Sequence, residues 1–341
     1  MRKIIMGIET SCDETSIAIL EDNTKLLANV VSSQIDVHKK YGGVMPEIAS
    51  RLHVEQITIV LDQALKEAGI TMDDVSAIAF TRGPGLIGAL HVGAQAAKTL
   101  ALAFDKPLIP VQHIAGHIYA NTYASKNNYP CLALVISGGH TQFIYMKEPL
   151  HFEIVGSTQD DAIGEAYDKV ARVIGLPYPG GPAIDKLSKL GKPNYKLPLP
   201  HTENPLDVSY SGLKTAVLNL AHNLEQRGEE INKEDLCYAF QHRAVDMIVD
   251  KLILALEKYP VKQVVVAGGV SANSYVREQV PLKVHKYDSS IQVVIPPMWC
   301  CTDNAAMIAA LGSELYGKDY TCDLSIGVDP NWEINEFPQK F

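Results

Sequence analysis

The chain sets out the same plan twice. Residues 3 to 20, "KIIMGIETSCDETSIAIL", read as a strand, a tight polar turn and a second strand, and "LALVISGGHTQFIYM" at 132 to 146 repeats the design with glycines at the turn. Downstream of each copy a strand breaks into a glycine turn and runs into a helix, as "VSAIAFTRGPGLIGALHVGAQAAKTLALAF" in the first half and "VKQVVVAGGVSANSYVREQV" in the second. Strands alternating with helices of this kind call for an α/β fold. Two similar halves predict two lobes with a cleft between them.

The helices are legible from their periodicity. In the first-half helix Leu90, Ala94, Ala97, Ala101 and Phe104 share a face, whose small residues permit close packing on a sheet. "PEIASRLHVEQITIVLDQALKEAG" opens at Pro46, keeps Ile48, Leu52, Ile57, Leu61, Leu65 and Ala68 broadly on one side, and stops at Gly69. A third helix starts at an Asn232 cap and repeats Leu236, Phe240, Ile248, Leu252 and Leu256. Between about 177 and 210 a proline-rich, weakly periodic insertion is expected to form a partly irregular cap beside the cleft. The expected boundaries are 1–128 for the first lobe, 129–302 for the second, a helix at about 303–318 returning to the first, and a tail at 319–341.

Charge and cysteine content narrow the functions open to such a fold. With 30 basic against 39 acidic residues the net charge is -9, so the chain lacks the basic surface that binds nucleic acid by charge alone. A nucleic-acid substrate would need a local patch or a partner subunit; Lys39, Lys40, Arg51, Arg82 and Lys214 are the candidates considered. The six cysteines form no C-x-x-C pair and the adjacent Cys300 and Cys301 are poorly placed to bridge, which suits a reducing cytosol. The N-terminal apolar run is broken by Glu9 and Asp13 before it could act as a signal peptide, and no membrane-length apolar stretch is expected.

Three motifs carry chemistry. In "HIAGH" the imidazoles of His113 and His117 lie four residues apart, on one face of a helix. Zinc proteases use that spacing with a glutamate after the first histidine, but Ile114 stands there. The pair is either a buried hydrogen-bonded pair or part of a metal site, and a metal site needs a third ligand. Asp303, at the start of a C-terminal helix in "CCTDNAAMIAAL", can supply it; its plain alternative is a helix N-cap. Two histidines and an aspartate with open positions suit Zn(II) or Fe(II), whereas Cys300 and Cys301 are expected to pack. "ISGGHT" and "AGGVSANS" end strands in paired glycines, either as turns needing positive φ or as backbone that a phosphate can approach. "GIETSCDET" crowds Glu9, Asp13 and Glu14 at a turn, either solvated or poised to hold metal-bound water or accept a proton.

Together, "GIETSCDETSIAI", "MPEIASRLH", "TRGPGLIGAL", "HIAGH", "ISGGHTQ", "GEAYDKVAR", "YPGGPAID", "SYSGLKTAV", "GGVSANSYVR" and "CTDNAAMIA" occur in an order that resembles the tRNA threonylcarbamoyladenosine transferases, once called O-sialoglycoprotein endopeptidases. The likeness spans residues 3 to about 316, with no departure at an expected functional position. It implies an α/β fold of the actin, Hsp70 and sugar-kinase (ASKHA) type, with two ribonuclease H-like lobes around a nucleotide cleft. It implies transfer of threonylcarbamoyl from threonylcarbamoyl-AMP to the exocyclic amine of the adenosine 3′ of the anticodon, releasing AMP, with ATP or AMP able to occupy the cleft. His113, His117 and Asp303 match the family's metal ligands, and Ile136, Ser137, Gly138, Gly139, His140, Asp168, Gly181, Asp185 and Asn273 its substrate contacts. Asp13 and Glu14 are the residues expected to orient the amine or take its proton. The implied partners are tRNA, a TsaB-type paralogue and a TsaE-type ATPase, in the cytoplasm and without a membrane, the chain alone being able to self-associate. The rival readings are a small-molecule O-carbamoyltransferase of the same fold and a metalloprotease.

Overall fold

The computed structural model describes residues 2–200 and 202–338. Two compact units emerge, unit 1 from Met1–Lys126 with Pro296–Phe341 and unit 2 from Asn127–Ile295.

Unit 1 begins with β1 (Ile4–Glu9), β2 (Glu14–Glu21) and β3 (Lys25–Ser33). The strand β3 is missing from the sequence reading, because it is an edge strand with a half-polar pattern. The three-residue turn that creates it, 22–24, holds Asp22 and Asn23 at φ 47° and 71°, values these short polar side chains tolerate. Next come α1 (Ile35–His38), α2 (Pro46–Ala68), β4 (Ala77–Gly83), α3 (Ile87–Phe104), β5 (Leu108–Gln112) and α4 (His113–Tyr119). Pro46 opens α2 and Gly69, at φ 66°, closes it. Its fully buried face is Ala49, His53, Ile57, Val60 and Ala64, one position round from the expected stripe, so Ile48, Leu52, Leu61, Leu65 and Ala68 sit half-buried at its edge. Ala89, Leu90, Gly93, Ala94, Ala97 and Ala101 of α3 are buried, whereas Phe104 at the last position is 40% exposed. Helix α3 is long and apolar enough to cross a membrane by length and composition, and here one face of it packs into the core of unit 1 while Ile87 and Leu102 are exposed.

Unit 2 repeats the arrangement with β6 (Cys131–Ile136), β7 (Thr141–Met146), β8 (Glu153–Ser157), α5 (Ile163–Val173), α6 (Gly180–Ser188), α7 (Ser211–Gln226), α8 (Lys233–Lys258), β9 (Gln263–Ala267), α9 (Ser274–Tyr287) and β10 (Gln292–Val294). The sheets run β3-β2-β1-β4-β5 and β8-β7-β6-β9-β10. In each, the first three strands pair antiparallel and the last two join in parallel. The duplication read from the sequence is therefore a duplication of topology, extended by β8, too short to stand out. Asn232 accepts from the Asp235 N–H and caps α8, whose Leu236, Phe240, Ile248, Leu252 and Leu256 are buried. The insertion is helical over α6 and irregular beyond it.

The chain then returns to unit 1 as α10 (Ala305–Tyr316), which lies on β1, β2 and α4. Alternation along β1 sends Ile4, Met6 and Ile8 into the core with α2 and α3. Its other face, with Gly7 at the centre, meets α10 so closely that a Cβ on Gly7 would stand 2.4 Å from the Ala305 carbonyl oxygen and 2.8 Å from the Ala309 nitrogen. Beyond α10 the tail runs back across unit 1: the Cys322 N–H donates to the Leu108 carbonyl, Arg82 stacks 4.4 Å over the buried Trp332 ring, and Gln112 Nε2 donates to the Trp332 carbonyl at 3.0 Å. Residues 339–341 of that tail lie outside the described residues.

Candidate metal centre and substrate cradle

Helix α4 is short and wholly buried, and it carries both histidines. Its first turn is capped by Gln112, whose Oε1 accepts the Ala115 N–H at 2.8 Å while its Nε2 is held by the tail. The two rings are edge to face, 4.7 Å between centroids. Asp303 Oδ1 lies 3.0 Å from His117 Nε2 and 3.6 Å from His113 Nε2, and the three residues offer ligand atoms all within 4.8 Å of one another. Asp303 does not cap α10. Asn304 does, accepting the Met307 N–H at 3.3 Å, so the carboxylate next to it is left facing the histidines. Two imidazoles and a carboxylate converging in this way are compatible with a divalent metal ion. Cys300 and Cys301 are buried outside this group, and burial pushes the Cys300 thiol up to about 12.

Glu9 takes a role that sequence reasoning missed. It ends β1 but does not share the turn with Asp13 and Glu14; period-two alternation puts it on the α10 face of β1, fully buried. Its Oε2 lies 3.1 Å from His113 Nδ1 and accepts the Thr81 hydroxyl at 2.6 Å, and its Oε1 accepts the Ser11 N–H. A carboxylate on Nδ1 leaves Nε2 turned toward Asp303, the arrangement that fixes the tautomer of a metal-binding histidine. Burial would lower the His113 pKa, but Asp303 and then Glu9 outweigh it and raise it to about 9. Burial would likewise raise Glu9, and the charge of His113 holds it down. Glu14, at the start of β2, is pushed well above the usual carboxylate range by burial, then by Asp303 and Asp13, and Ser33 Oγ donates to it at 3.2 Å. The Asp13–Glu14 turn therefore lies within the electrostatic reach of the histidine and aspartate cluster.

The second group of predicted residues comes together at one corner of unit 2. Ile136 ends β6, and the Ser137 N–H closes the glycine turn onto the His140 carbonyl at 2.8 Å. Neither Gly138 nor Gly139 has φ in the left-handed region, and a Cβ on either would meet nothing within 4 Å. The turn does not need these glycines for its own backbone or packing, which removes the first of the two readings given for them. What they provide is backbone that a ligand can approach without side chains in the way. Gly181 and Gly269 are open in the same way, whereas Gly268, at φ 90°, is wedged against the Ile136 carbonyl.

Around that opening the polar side chains hold one another. Asp168 Oδ1 accepts the Gly180 N–H at 2.6 Å and so caps α6. Asp185, on α6, accepts from Ser274 Oγ at 2.7 Å and Gln241 Nε2 at 3.0 Å. Asn273 caps α9 through Oδ1 and donates from Nδ2 to Gln241 Oε1 at 2.8 Å. Gln241, buried on α8, is thus the hub between Asp185 and Asn273, and nothing in its helical context marks it out.

A likeness to the component A of Acidaminococcus fermentans (R)-2-hydroxyglutaryl-CoA dehydratase covers 92% of this chain and 99% of that one with TM-score 0.57 and 13% identity, which is a likeness of fold. The chain accordingly has the ASKHA architecture. The tRNA N6-adenosine threonylcarbamoyltransferases of Bacillus thuringiensis (strain Al Hakam) and Staphylococcus haemolyticus (strain JCSC1435) are 53% and 51% identical to it, over 97% and 98% of its length and 96% and 97% of theirs. The family model described as "TsaD: tRNA N6-adenosine threonylcarbamoyltransferase" matches residues 25–310, a span that holds the histidine pair, Asp303 and every residue of the unit 2 corner. By that match and by the identity along its length, the chain belongs to the TsaD family of tRNA N6-adenosine threonylcarbamoyltransferases.

Proposed function

We propose that this protein transfers the threonylcarbamoyl group of threonylcarbamoyl-AMP to the exocyclic amine of the adenosine 3′ of the anticodon, in tRNAs that read codons beginning with adenine, and releases AMP. The observation that carries this reading is the 53% identity with a threonylcarbamoyltransferase over 97% of the chain. In the reaction a nitrogen–carbon bond forms, the bond from the carbamoyl carbon to the phosphate oxygen breaks, and the amine loses a proton.

His113, His117 and Asp303 would hold one divalent ion, Fe(II) or Zn(II), with Glu9 fixing the His113 ring. When bound, such an ion supplies Lewis-acid polarisation of the acyl oxygen and a template for the donor. The open backbone at Gly138, Gly139 and Gly181 receives the adenylate, and the network of Asp168, Asp185, Asn273 and Gln241 keeps that surface in place before the donor arrives. Asp13 and Glu14 orient the amine and take its proton, and burial, which raises the Glu14 pKa, makes Glu14 a more basic carboxylate once ionised. Ile114 is buried where a metalloprotease would place its glutamate, which disfavours peptide hydrolysis. A TsaB-type paralogue and a TsaE-type ATPase complete the cytoplasmic system, and the chain alone self-associates.

The test supplies the protein with threonylcarbamoyl-AMP, partner subunits and tRNA, then digests the tRNA and looks for the modified nucleoside. Absence of product with active partners overturns the reading. In the same assay Gly138→Ala is expected to raise the KM for the donor while leaving the melting temperature unchanged, since its Cβ enters open space.

Metal uptake should depend on pH with a definite sign. A His113 pKa of about 9 means that below this value the ion must displace a proton. The apparent affinity is expected to rise about tenfold per pH unit between pH 6.5 and 9 and then level off, with about one proton released per ion. For the metal-free protein the sign is opposite. A pKa raised above that of the unfolded chain stabilises unit 1 below about pH 6.5, and that contribution is lost as pH rises through about 9. Competition titrations and melting curves across this range check both.

A further inference from the structure

We infer that the lysines of the insertion, Lys186, Lys189, Lys192 and Lys196, form the surface on which the phosphodiester backbone of the tRNA docks. This deepens the reading of the reaction given above and rests on it.

The basic residues first considered for this role are mostly engaged elsewhere. Lys39 pairs with Asp36 at 2.9 Å, Arg51 with Glu47 at 2.6 Å, and Lys214 faces Asp161 at 3.7 Å. Arg82 is stacked on Trp332 and donates to the Gly327 carbonyl. In a chain of net charge -9, by contrast, residues 186 to 200 carry four lysines and no carboxylate. All four are exposed. Lys189 lies 3.6 Å from Asp185, and among the described residues Lys186, Lys192 and Lys196 have no salt bridge.

The segment is irregular but firmly held. Asp235 is buried and its two oxygens accept the Lys192 N–H and Asn194 Nδ2, each at 2.7 Å. Gly191 is so close to α8 that a Cβ there would stand 2.1 Å from the Glu234 carbonyl oxygen. Tyr195 accepts the Asn232 N–H at 3.3 Å, and Leu197 is buried. The backbone is therefore ordered by unit 2 itself while the ammonium groups face solvent.

Position gives this charge a use. The N-terminal end of α6 is capped by Asp168 beside the open Gly181, and its C-terminal end carries the first lysines. Nine residues of helix span about 13 Å. Lys186 thus stands about 7.5 Å along the helix from Gly181, on the surface where the reacting adenosine's acyl donor is read to bind, and Lys189 stands just past the helix end. Lysine ammoniums act as point charges toward phosphate and do not read sequence, which suits an enzyme that must hold several tRNAs. A positive patch on an acidic protein also orients a polyanion during encounter.

The test replaces all four lysines by alanine in the complex with its partner subunits, and measures tRNA binding against salt separately from transfer. Each lost phosphate contact should reduce the slope of log affinity against log salt by about 0.7 to 0.9. For four contacts a total reduction of about 2.8 to 3.6 is expected, with the KM for tRNA up roughly 10- to 100-fold and with kcat, AMP affinity and melting temperature little changed. A control with Lys147, Lys258, Lys283 and Lys286 changed to alanine makes the same net-charge change elsewhere on unit 2 and should keep the slope. An unchanged slope in the insertion variant overturns the proposal, as does loss of partner assembly with tRNA affinity intact, which would make the surface a protein interface. If the wild-type complex binds tRNA yet forms no modified nucleoside, the reaction reading falls while the lysine assignment still stands or falls on the slope.

Discussion

Asp303→Asn is expected to abolish stoichiometric metal binding and to slow transfer by about 10³-fold, the several kcal/mol that a Lewis-acid ion contributes to an acyl-transfer barrier. The substitution keeps the shape and removes the charge. It should leave the helix behind it intact, because Asn304 provides the cap of α10. The charge of Asp303 is also the largest single influence that raises His113, so the variant's metal-free His113 should titrate lower, a change visible by NMR. Metal analysis of the purified variant and single-turnover transfer make the check. Full metal content with a wild-type rate would remove Asp303 from the site.

Gly7→Ala is expected to destabilise unit 1 strongly. Its Cβ would enter the backbone of α10 at two atoms, the Ala305 oxygen and the Ala309 nitrogen, neither of which can rotate away. Relief requires the helix to lift from the sheet. Overpacking of this kind costs about 1–3 kcal/mol, or more when backbone must move, and for a unit of this size each kcal/mol lowers the melting temperature by roughly 2–4 °C. The same shift carries Asp303 away from α4, so metal affinity should fall together with stability although Gly7 touches neither histidine. Calorimetry and metal titration of the variant decide this. A stable variant with full metal affinity would mean that α10 is not seated as described.

Much of this architecture could be read from the chain because its signals are local. Pro46 and Gly69 bound α2, Asn232 caps α8, and the repeated strand-turn-strand is one topology used twice. The histidine pair was legible as a possible clamp because helical spacing alone places both rings on one face. What stayed hidden depends on which element covers which face. Glu9 looks like a turn carboxylate until α10, nearly three hundred residues later, covers its side of β1 and turns it inward onto His113. The buried face of α2 lies one position from the expected stripe because its sheet-facing side is built partly from Ala49, His53 and Ala64. Gln112 and Gln241 act through single hydrogen bonds to distant partners, and glutamine is too common on helices and strand ends to advertise that.

The division of unit 1 into two stretches of chain has a consequence for how the protein is made. A ribosome delivers Met1–Lys126 first, then all of unit 2, and only afterwards the stretch that carries Asp303 and α10. Unit 2 is continuous and can complete its sheet while the later stretch of unit 1 is still being synthesised. The first stretch meanwhile waits with one side of β1 uncovered, and at about 5–20 residues per second that wait lasts roughly ten seconds or more. Two of the three residues proposed to hold the ion, His113 and His117, therefore exist long before Asp303, and all three can act together only once the stretch that carries α10 has been made.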